Sequence, residues 1–175
     1  AIIAYLLGSI SFSIIFTKKF AGFDVRQKGS GNAGSTNVLR TAGKKPAILT
    51  LICDVLKGVV AVLVAFLMGK IANADVWNSA LLIQVAGVCV VLGHTFPIFF
   101  GFKGGKGVAT ALGVLLITNW QIGLICLVFA LVLMAITRIV ALGSIAAAIL
   151  FPVLCFFITN NFLVGDSSTR ISYLV

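Results

Sequence analysis

Six apolar runs, several of them long enough to cross a bilayer, recur along the chain and constrain its fold more than any other feature. They cover residues 1–17, 46–69, 79–100, 108–119, 121–137 and 139–159. A membrane-spanning helix needs about 20 predominantly apolar residues. The chain is 61% hydrophobic and only 10% charged, whereas a soluble domain is about 45–50% apolar and roughly 25% charged. We therefore predict an all-α integral membrane protein, a helical bundle of six spans.

The fourth run and the end of the chain depart from a simple series of spans. At about 1.5 Å per residue, residues 108–119 reach only roughly 18 Å. We expect this helix to be tilted, extended by its flanks or re-entrant. The apolar residues 171–175 at the end of the chain resemble the start of a seventh helix. The chain is thus predicted to form one transmembrane domain over residues 1–175.

The positive charges are concentrated in alternate loops. The chain has 13 Lys and Arg against 4 acidic residues, a formal net charge of +9. Ten of these cations lie in the loops after the first, third and fifth runs: Lys18, Lys19, Arg26, Lys28, Arg40, Lys44, Lys45, Lys103, Lys106 and Arg138. The opposite loops hold only Lys70 and Arg170. Because positively charged loops stay in the cytoplasm, we predict that these three loops are cytoplasmic and that the N-terminus lies outside.

The basic excess narrows the range of ligands. Positive charge attracts nucleic acid, anionic lipid or an anionic substrate, and nucleic acid is the least expected in so apolar a chain. The four cysteines lie inside apolar runs, and there is one histidine. The cysteines lack the C-x-x-C spacing of a zinc site, so we interpret them as small buried hydrophobes. We expect neither a metal nor a cofactor.

Two glycine-rich segments lie in the basic loops. Residues 29–37 are Gly-Ser-Gly-Asn-Ala-Gly-Ser-Thr-Asn, and residues 101–107 are Gly-Phe-Lys-Gly-Gly-Lys-Gly. Glycines let a backbone turn tightly and approach a ligand, so that successive N–H groups point at one anion. A helix that begins after such a segment adds the positive end of its dipole. Both segments are therefore candidate phosphate-binding loops.

Lys106 adds a point charge to the second segment, beside Gly104, Gly105 and Gly107. The segment is not a Walker A loop, because the spacing from Gly101 is one residue short and no Ser or Thr follows the lysine. ATP hydrolysis is therefore not expected. The alternative is a flexible turn whose lysines contact lipid headgroups.

The first segment offers neutral donors from Ser30, Asn32, Thr36 and Asn37, and Arg40 supplies a guanidinium that binds a phosphate through two N–H groups. Two such segments on one face predict either two phosphorylated reactants or one ligand held from both sides. A polar loop rich in turn-forming residues is the alternative.

Polar residues within the apolar runs are further candidates. Asp54 and Lys57 are three residues apart, so they share a helix face and can pair, either to anchor the helix or to support the phosphate site. His94 is a candidate general base or ligand contact, and a structural role is equally open. A helical serine such as Ser144 more often bonds its own backbone. The sequence has no G-x-S-x-G nucleophile motif.

The two glycine-rich segments resemble the motifs of a known family. Residues 29–40 resemble its first motif, and residues 93–110, from Gly-His-Thr-Phe-Pro through Gly-Phe-Lys-Gly-Gly-Lys-Gly-Val-Ala-Thr, resemble its second. The Asp-Val-Leu-Lys-Gly sequence at residues 54–58 also fits. On these residues the chain resembles the bacterial membrane glycerol-3-phosphate acyltransferases that use acyl phosphate as donor, the PlsY family.

The resemblance implies a seven-helix enzyme of the bacterial inner membrane, with its active site facing the cytoplasm. Such an enzyme transfers a fatty acyl group from acyl phosphate to the sn-1 hydroxyl of glycerol 3-phosphate. The products are lysophosphatidic acid and phosphate, in the first step of phospholipid synthesis. The implied partners are acyl phosphate, glycerol 3-phosphate, membrane lipid and, as a candidate, the soluble enzyme that makes acyl phosphate.

We assign the predicted site from the motifs and the resemblance together. The predicted catalytic residues are Ser30, Arg40, Lys106 and His94. The predicted substrate-binding residues are Gly31, Asn32, Thr36, Asn37, Gly104, Gly105, Gly107 and Ser144. By the resemblance, phosphate groups are held by Ser30, Gly31, Asn32, Arg40 and Lys106, with Ser144 as a further contact. The resemblance also implies that no acyl-enzyme forms and that a substrate phosphate helps to deprotonate the attacking hydroxyl.

The family has a third motif in a cytoplasmic tail after its last helix, with Arg, His and Asn. This chain ends at Val175, before such a tail, so we expect it to be a fragment of a longer protein. The main alternative function is a transporter for a phosphorylated or anionic solute, since transporters also use short helices with glycine-rich ends. The sequence shows no inverted repeat in favour of it. A non-catalytic scaffold that binds anionic lipid is the third interpretation.

Overall fold

The structure, a computed structural model, describes residues 1–163 and, within them, the side chains of residues 1–75 and 78–157. Every regular element in this range is helical. The α-helices are α1 (Ile2–Gly8), α2 (Phe12–Ala21), α3 (Ser35–Ala42), α4 (Lys44–Ile71), α5 (Val76–Thr95), α6 (Val108–Thr118), α7 (Trp120–Thr137) and α8 (Val140–Leu163). Short 3-10 turns lie at Val25–Gln27 and Ile98–Phe100. The prediction of an all-α membrane fold is confirmed.

Five segments are long and apolar enough to cross a membrane. They are Ile2–Ala21, Lys44–Ile71, Asn78–Phe100, Trp120–Thr137 and Val140–Phe157. The fourth predicted run forms α6, which has 11 residues and extends only roughly 17 Å, short of the roughly 30 Å hydrocarbon core. Its shortness agrees with the sequence, and five segments, rather than six, reach spanning length. The predicted start of a seventh helix at residues 171–175, and Arg170, lie outside the described residues.

The first run is broken, which the sequence did not predict. α1 ends at Gly8 and α2 begins at Phe12, so the backbone carbonyls at the break lack helical partners. The Lys57 ammonium of α4 donates to the carbonyls of both Gly8 and Ile10, each at 3.0 Å. In a bilayer core such groups need a partner within the protein. The first run is thus interrupted between α1 and α2 although Ile2–Ala21 keeps spanning length, and a charge from another helix stabilises the interruption.

The chain divides into two units, residues 1–114 and the residues from 115 onward. In the first unit, α1 and α5 approach so closely that a Cβ on Gly8 would overlap the Val90 backbone, and one on Gly93 would overlap the Tyr5 carbonyl. Small side chains fill the core that these helices share with α4: Ala4, Ala61, Ala65, Ala86 and Val90. Small residues at helix contacts are typical of membrane bundles, because they let backbones approach.

A second apolar cluster in the same unit lies under the first glycine-rich segment. Its buried members are Ile14, Val25, Ala33, Val38 and Ala47, and they join α2, α3 and α4 to the loop before α3. In the other unit, α7 packs on α8, where Gly143 lies against the Ala130 carbonyl and the Met134 side chain. Many large apolar side chains on the outer faces are exposed, as expected of surfaces that contact lipid.

Candidate anion-binding site

The first glycine-rich segment is shaped by the side chain of Asn37. The Asn37 amide nitrogen donates to the carbonyls of Val25, Lys28 and Asn32 at 3.0–3.1 Å, and its oxygen accepts from the Ser30 N–H at 3.0 Å. The residue is only 2% exposed. This side chain is therefore fully engaged in holding the loop, which makes Asn37 a positioning residue for its neighbours.

A helix replaces the second half of the predicted loop. We expected residues 29–37 to form one glycine-rich loop, but α3 begins at Ser35 and carries Thr36, Asn37 and Arg40. Thr36 and Asn32 are half-buried, whereas Ser30, Gly31 and Arg40 are exposed. The structure thus brings the exposed serine and the arginine to the two ends of one short loop–helix unit.

The second segment is attached to the end of α5. The Gly104 N–H donates to the Thr95 carbonyl and the Gly105 N–H to the His94 carbonyl, both at 3.1 Å. These bonds satisfy carbonyls that the last turn of a helix leaves without partners. The expectation that successive amides of this loop point at an anion is therefore wrong for Gly104 and Gly105.

The donors left in the second segment lie further along the chain. Lys106 is exposed, and the first N–H groups of α6, which begins at Val108, have no partner within their helix. Gly107 has a positive φ of 77° and no room for a Cβ beside the Val91 side chain. Here the glycines serve close packing on α5, while Lys106 and the start of α6 remain available to a ligand.

The two segments touch each other directly. The Ala33 N–H of the first donates to the Gly104 carbonyl of the second at 3.4 Å. The Arg26 guanidinium donates from Nη1 to the carbonyls of Phe100 at 2.6 Å and Lys103 at 3.3 Å. These bonds place the two segments beside each other; whether they hold two phosphorylated reactants or one ligand from both sides stays a prediction.

Asp24 and Arg26 were missed by the sequence analysis, which counted Arg26 only as one of the loop cations. The Asp24 carboxylate accepts from Arg26 Nε at 3.0 Å and from Nη2 at 2.8 Å, and also from the Arg26 backbone N–H at 3.0 Å. These bonds lower the pKa of Asp24, although burial opposes them. The only available signal was an acid two residues before an arginine in a chain with 4 acidic residues.

The predicted Asp54–Lys57 pair is confirmed. Lys57 Nζ lies 3.0 Å from Asp54 Oδ1, and both side chains are at least 95% buried. His94 joins them, because its Nδ1 lies 3.6 Å from the same Asp54 oxygen. His94 is only 7% exposed, so the imidazole lies inside the protein, whereas Ser30, Arg40 and Lys106 are exposed.

Ser144 belongs to the other unit, on α8. Its Oγ donates to the Ala141 carbonyl at 2.9 Å, the backbone bond typical of a helical serine. The four cysteines are free thiols, and within the part of the chain that the structure describes no three His, Cys, Asp or Glu side chains are grouped as metal ligands.

The fold defines an integral membrane protein, and Arg40 and Lys106 are exposed on its loops and helix ends. The chain belongs to the glycerol-3-phosphate acyltransferase family, whose sequence pattern matches residues 1–175. A glycerol-3-phosphate acyltransferase of Clostridioides difficile (strain 630) is 47% identical over 161 residues, which are 92% of this chain and 78% of that protein. One from Nostoc sp. is 42% identical over 167 residues, 90% of this chain and 74% of the relative.

Two solved structures that are similar to this chain are of glycerol 3-phosphate acyltransferases. The crystal structure of PlsY, an integral membrane glycerol 3-phosphate acyltransferase, in its glycerol 3-phosphate form is 39% identical, with a TM-score of 0.77 over 99% of this chain and 80% of that one. Its lysophosphatidic acid form is 37% identical, with a TM-score of 0.74 over 99% and 79%. The protein is thus a multi-pass membrane enzyme, a glycerol-3-phosphate acyltransferase. This assignment is evidence against the transporter and scaffold interpretations.

Proposed function

We propose that this enzyme takes its acyl group from acyl phosphate and transfers it to the sn-1 hydroxyl of glycerol 3-phosphate. One observation carries the proposal: two segments, the first followed by Arg40 and the second containing Lys106, are bonded to each other through Ala33 and Gly104. Both of these cations are exposed. A reaction between two phosphorylated molecules calls for positive charge near each phosphate. The glycerol 3-phosphate form of a relative supports glycerol 3-phosphate as one of the two molecules.

The proposed reaction is a single acyl transfer. The glycerol 3-phosphate hydroxyl oxygen attacks the acyl carbonyl carbon and forms the ester C–O bond. The C–O bond to the phosphate then breaks, and the bond electrons leave with the phosphate. The hydroxyl proton passes to a substrate phosphate oxygen, so products are lysophosphatidic acid and phosphate. No protein nucleophile is required, in keeping with a site whose exposed residues are donors.

The proposed roles follow from exposure and charge. Arg40 and Lys106 neutralise phosphate oxygens, and the Ser30 hydroxyl donates to a phosphate or to the carbonyl oxygen as charge develops on it. Donors fixed at such positions typically lower the barrier by a few kcal/mol each. Gly31, Asn32 and Thr36 line the same loop–helix unit. The acyl chain would lie between helices, in contact with lipid.

We place the site on the cytoplasmic face of the bacterial inner membrane. The support is the charge distribution, because ten of the 13 cations lie in alternate loops and basic loops stay inside. Glycerol 3-phosphate and acyl phosphate then reach the site from the cytoplasm. The soluble enzyme that makes acyl phosphate is the candidate partner at this face.

The donor assignment is tested with purified protein in liposomes. Labelled glycerol 3-phosphate is supplied with palmitoyl phosphate, palmitoyl coenzyme A or palmitoyl acyl carrier protein, and the labelled lysophosphatidic acid is analysed for the position of its ester. We expect product with acyl phosphate alone, esterified at sn-1. Equal rates with a thioester donor, or an sn-2 product, would overturn the proposal while leaving the acyltransferase class intact.

The phosphate-binding roles are tested by Arg40→Ala and Lys106→Ala. Each substitution should lower kcat/KM by about 10²-fold, the usual effect of removing one such donor. Lys70→Ala is the matched control, because Lys70 is an exposed lysine in the last turn of α4, where its ammonium lies 4.6 Å from the Phe66 ring. If the two site variants turn over like the control, the phosphate-binding assignment is wrong.

A further inference from the structure

His94 is a buried polar residue whose side chain connects α4 to the second glycine-rich segment. On one side its Nδ1 lies 3.6 Å from Asp54 Oδ1 and has no hydrogen-bond partner in the described part of the chain. On the other side its Nε2 lies against Gly105, where a Cβ would overlap the ring. The His94 carbonyl also accepts the Gly105 N–H at 3.1 Å. Gly105 is therefore held by both the ring and the backbone of one residue.

Asp54 is itself fixed in place. Lys57 lies 3.0 Å from the same carboxylate oxygen and is anchored by the carbonyls of Gly8 and Ile10. The carboxylate and the ammonium balance each other's charge. The cluster consequently provides a rigid base under His94 rather than an open polar pocket.

The same stretch of α4 also holds the start of α6. Gly58 follows Lys57, and a Cβ there would overlap the Thr110 carbonyl in the first turn of α6. Two residues before Lys57, and next to Asp54, the Val55 carbonyl would overlap a Cβ on Gly113. Helix α6 is thus pressed against α4 beside the Asp54–Lys57 pair.

Lys106 lies between these two attachments. Gly105, the residue before it, is held by His94, and helix α6, which begins two residues after it, is held by α4. We propose that His94 and Asp54 form a positioning pair that sets the direction of Lys106 toward the substrate phosphate. This assignment rests on the proposed role of Lys106. It replaces the prediction that His94 is catalytic, because the imidazole is buried and acts through the backbone of Gly105.

The test is a double-mutant cycle in the reconstituted enzyme. His94→Phe keeps the ring volume but removes the nitrogen that faces Asp54, and it is made in the wild-type and Lys106→Gln backgrounds. We expect His94→Phe to lower kcat/KM about tenfold in the wild type, since small misplacements of a binding group are costly. In the Lys106→Gln background the same change should have less than about a twofold effect, because coupled residues are not additive.

A purely structural role gives a different result. If His94→Phe only reduces the amount of folded enzyme, it lowers kcat/KM by the same factor in both backgrounds, and the proposal is overturned. If Lys106→Gln alone leaves kcat/KM unchanged, the role of Lys106 itself fails, which separates the two proposals. Asp54→Asn should reproduce the pattern of His94→Phe, because it removes the charge that the imidazole faces.

His94→Asn provides the conservative variant. Its amide nitrogen can occupy the position of Nδ1 and donate to Asp54, so we expect it to recover most of the activity lost in His94→Phe. It also keeps the cycle informative if the phenylalanine variant does not fold. Equal activity of the asparagine and phenylalanine variants would show that the contact with Asp54 has no role.

Discussion

The two glycine-rich segments look alike in sequence but are held in different ways. The first is organised from within by a single amide side chain, since Asn37 bonds the backbone of four residues between Val25 and Asn32. The second is held from outside by the carbonyl end of α5 and by the His94 ring. In both, several backbone N–H groups are already bonded inside the protein. The comparison shows that glycine richness here indicates close packing of the backbone.

The largest expected effect comes from removing the organiser of the first segment. Asn37→Ala removes one bond from each of three carbonyls and the acceptor of the Ser30 N–H, and each buried loss costs about 1–3 kcal/mol. We expect the free energy of unfolding to fall by about 3 kcal/mol or more and activity to be lost. Thermal unfolding in detergent measures the free energy of unfolding.

The control is Asn78→Ala, at an exposed asparagine of α5. Its free energy of unfolding should stay within about 1 kcal/mol of wild type. An equal effect of the two substitutions would contradict the central role of Asn37.

The next effect tests the second segment. Gly105→Ala places a methyl group against the His94 ring and the Ala33 carbonyl, and overpacking of this kind costs about 1–3 kcal/mol. The clash displaces the residue before Lys106. The loss of kcat/KM, expressed as a free energy, should therefore exceed the loss in the free energy of unfolding. Gly22→Ala is the control, since Gly22 has a positive φ of 74° but nothing within 4 Å of an added Cβ. It should carry only the backbone cost of about 1 kcal/mol, with unchanged kinetics.

The Asp24–Arg26 pair, whose guanidinium also bonds the Phe100 and Lys103 carbonyls, has a defined pH dependence. The pKa of Asp24 in the folded protein lies below its ordinary value because of its bonds to Arg26, so the stabilisation is complete above the unfolded pKa of about 3.9 and is lost as the pH falls through the lower folded pKa. Asp24→Asn should therefore cost about 1.5–3 kcal/mol at neutral pH. The difference from wild type should hold down to about pH 5 and shrink below about pH 3.9.

Unfolding midpoints measured from pH 3 to pH 7 check this prediction. A difference that fades already near pH 6 would show that another group controls it. Arg26→Lys is the companion variant, because a lysine keeps the charge but cannot donate both to Asp24 and to the Phe100 carbonyl in the same planar arrangement.

The smallest effect on the fold is expected at Ser30. Ser30 contributes to the loop through its backbone N–H, which donates to the Asn37 side-chain oxygen. The Ser30 side chain is exposed. Ser30→Ala should therefore change stability by less than about 0.5 kcal/mol while it lowers kcat/KM. A variant that loses stability but keeps its kinetics would reverse the assignment of this residue from ligand contact to structural support.

Features carried by local periodicity could be predicted from the sequence. The helices follow the apolar runs, and the Asp54–Lys57 pair follows from a spacing of three residues on one helix. The break after Gly8 could not be predicted, because it depends on Lys57, 49 residues away. The engagement of the Gly104 and Gly105 amides also escaped prediction, since a glycine-rich sequence does not reveal whether its N–H groups face a ligand or a neighbouring helix end.

The interruption between α1 and α2 has a consequence for how the chain enters the membrane. The Gly8 and Ile10 carbonyls are synthesised 49 and 47 residues before the lysine that binds them, an interval of roughly 2–10 s at ordinary rates of translation. Until then the Lys57 ammonium is missing, and bare carbonyls in hydrocarbon cost several kcal/mol each. The apolar run that contains α1 and α2 therefore reaches its final interrupted conformation only after α4 has been synthesised. We expect this run and α4 to complete their membrane insertion together.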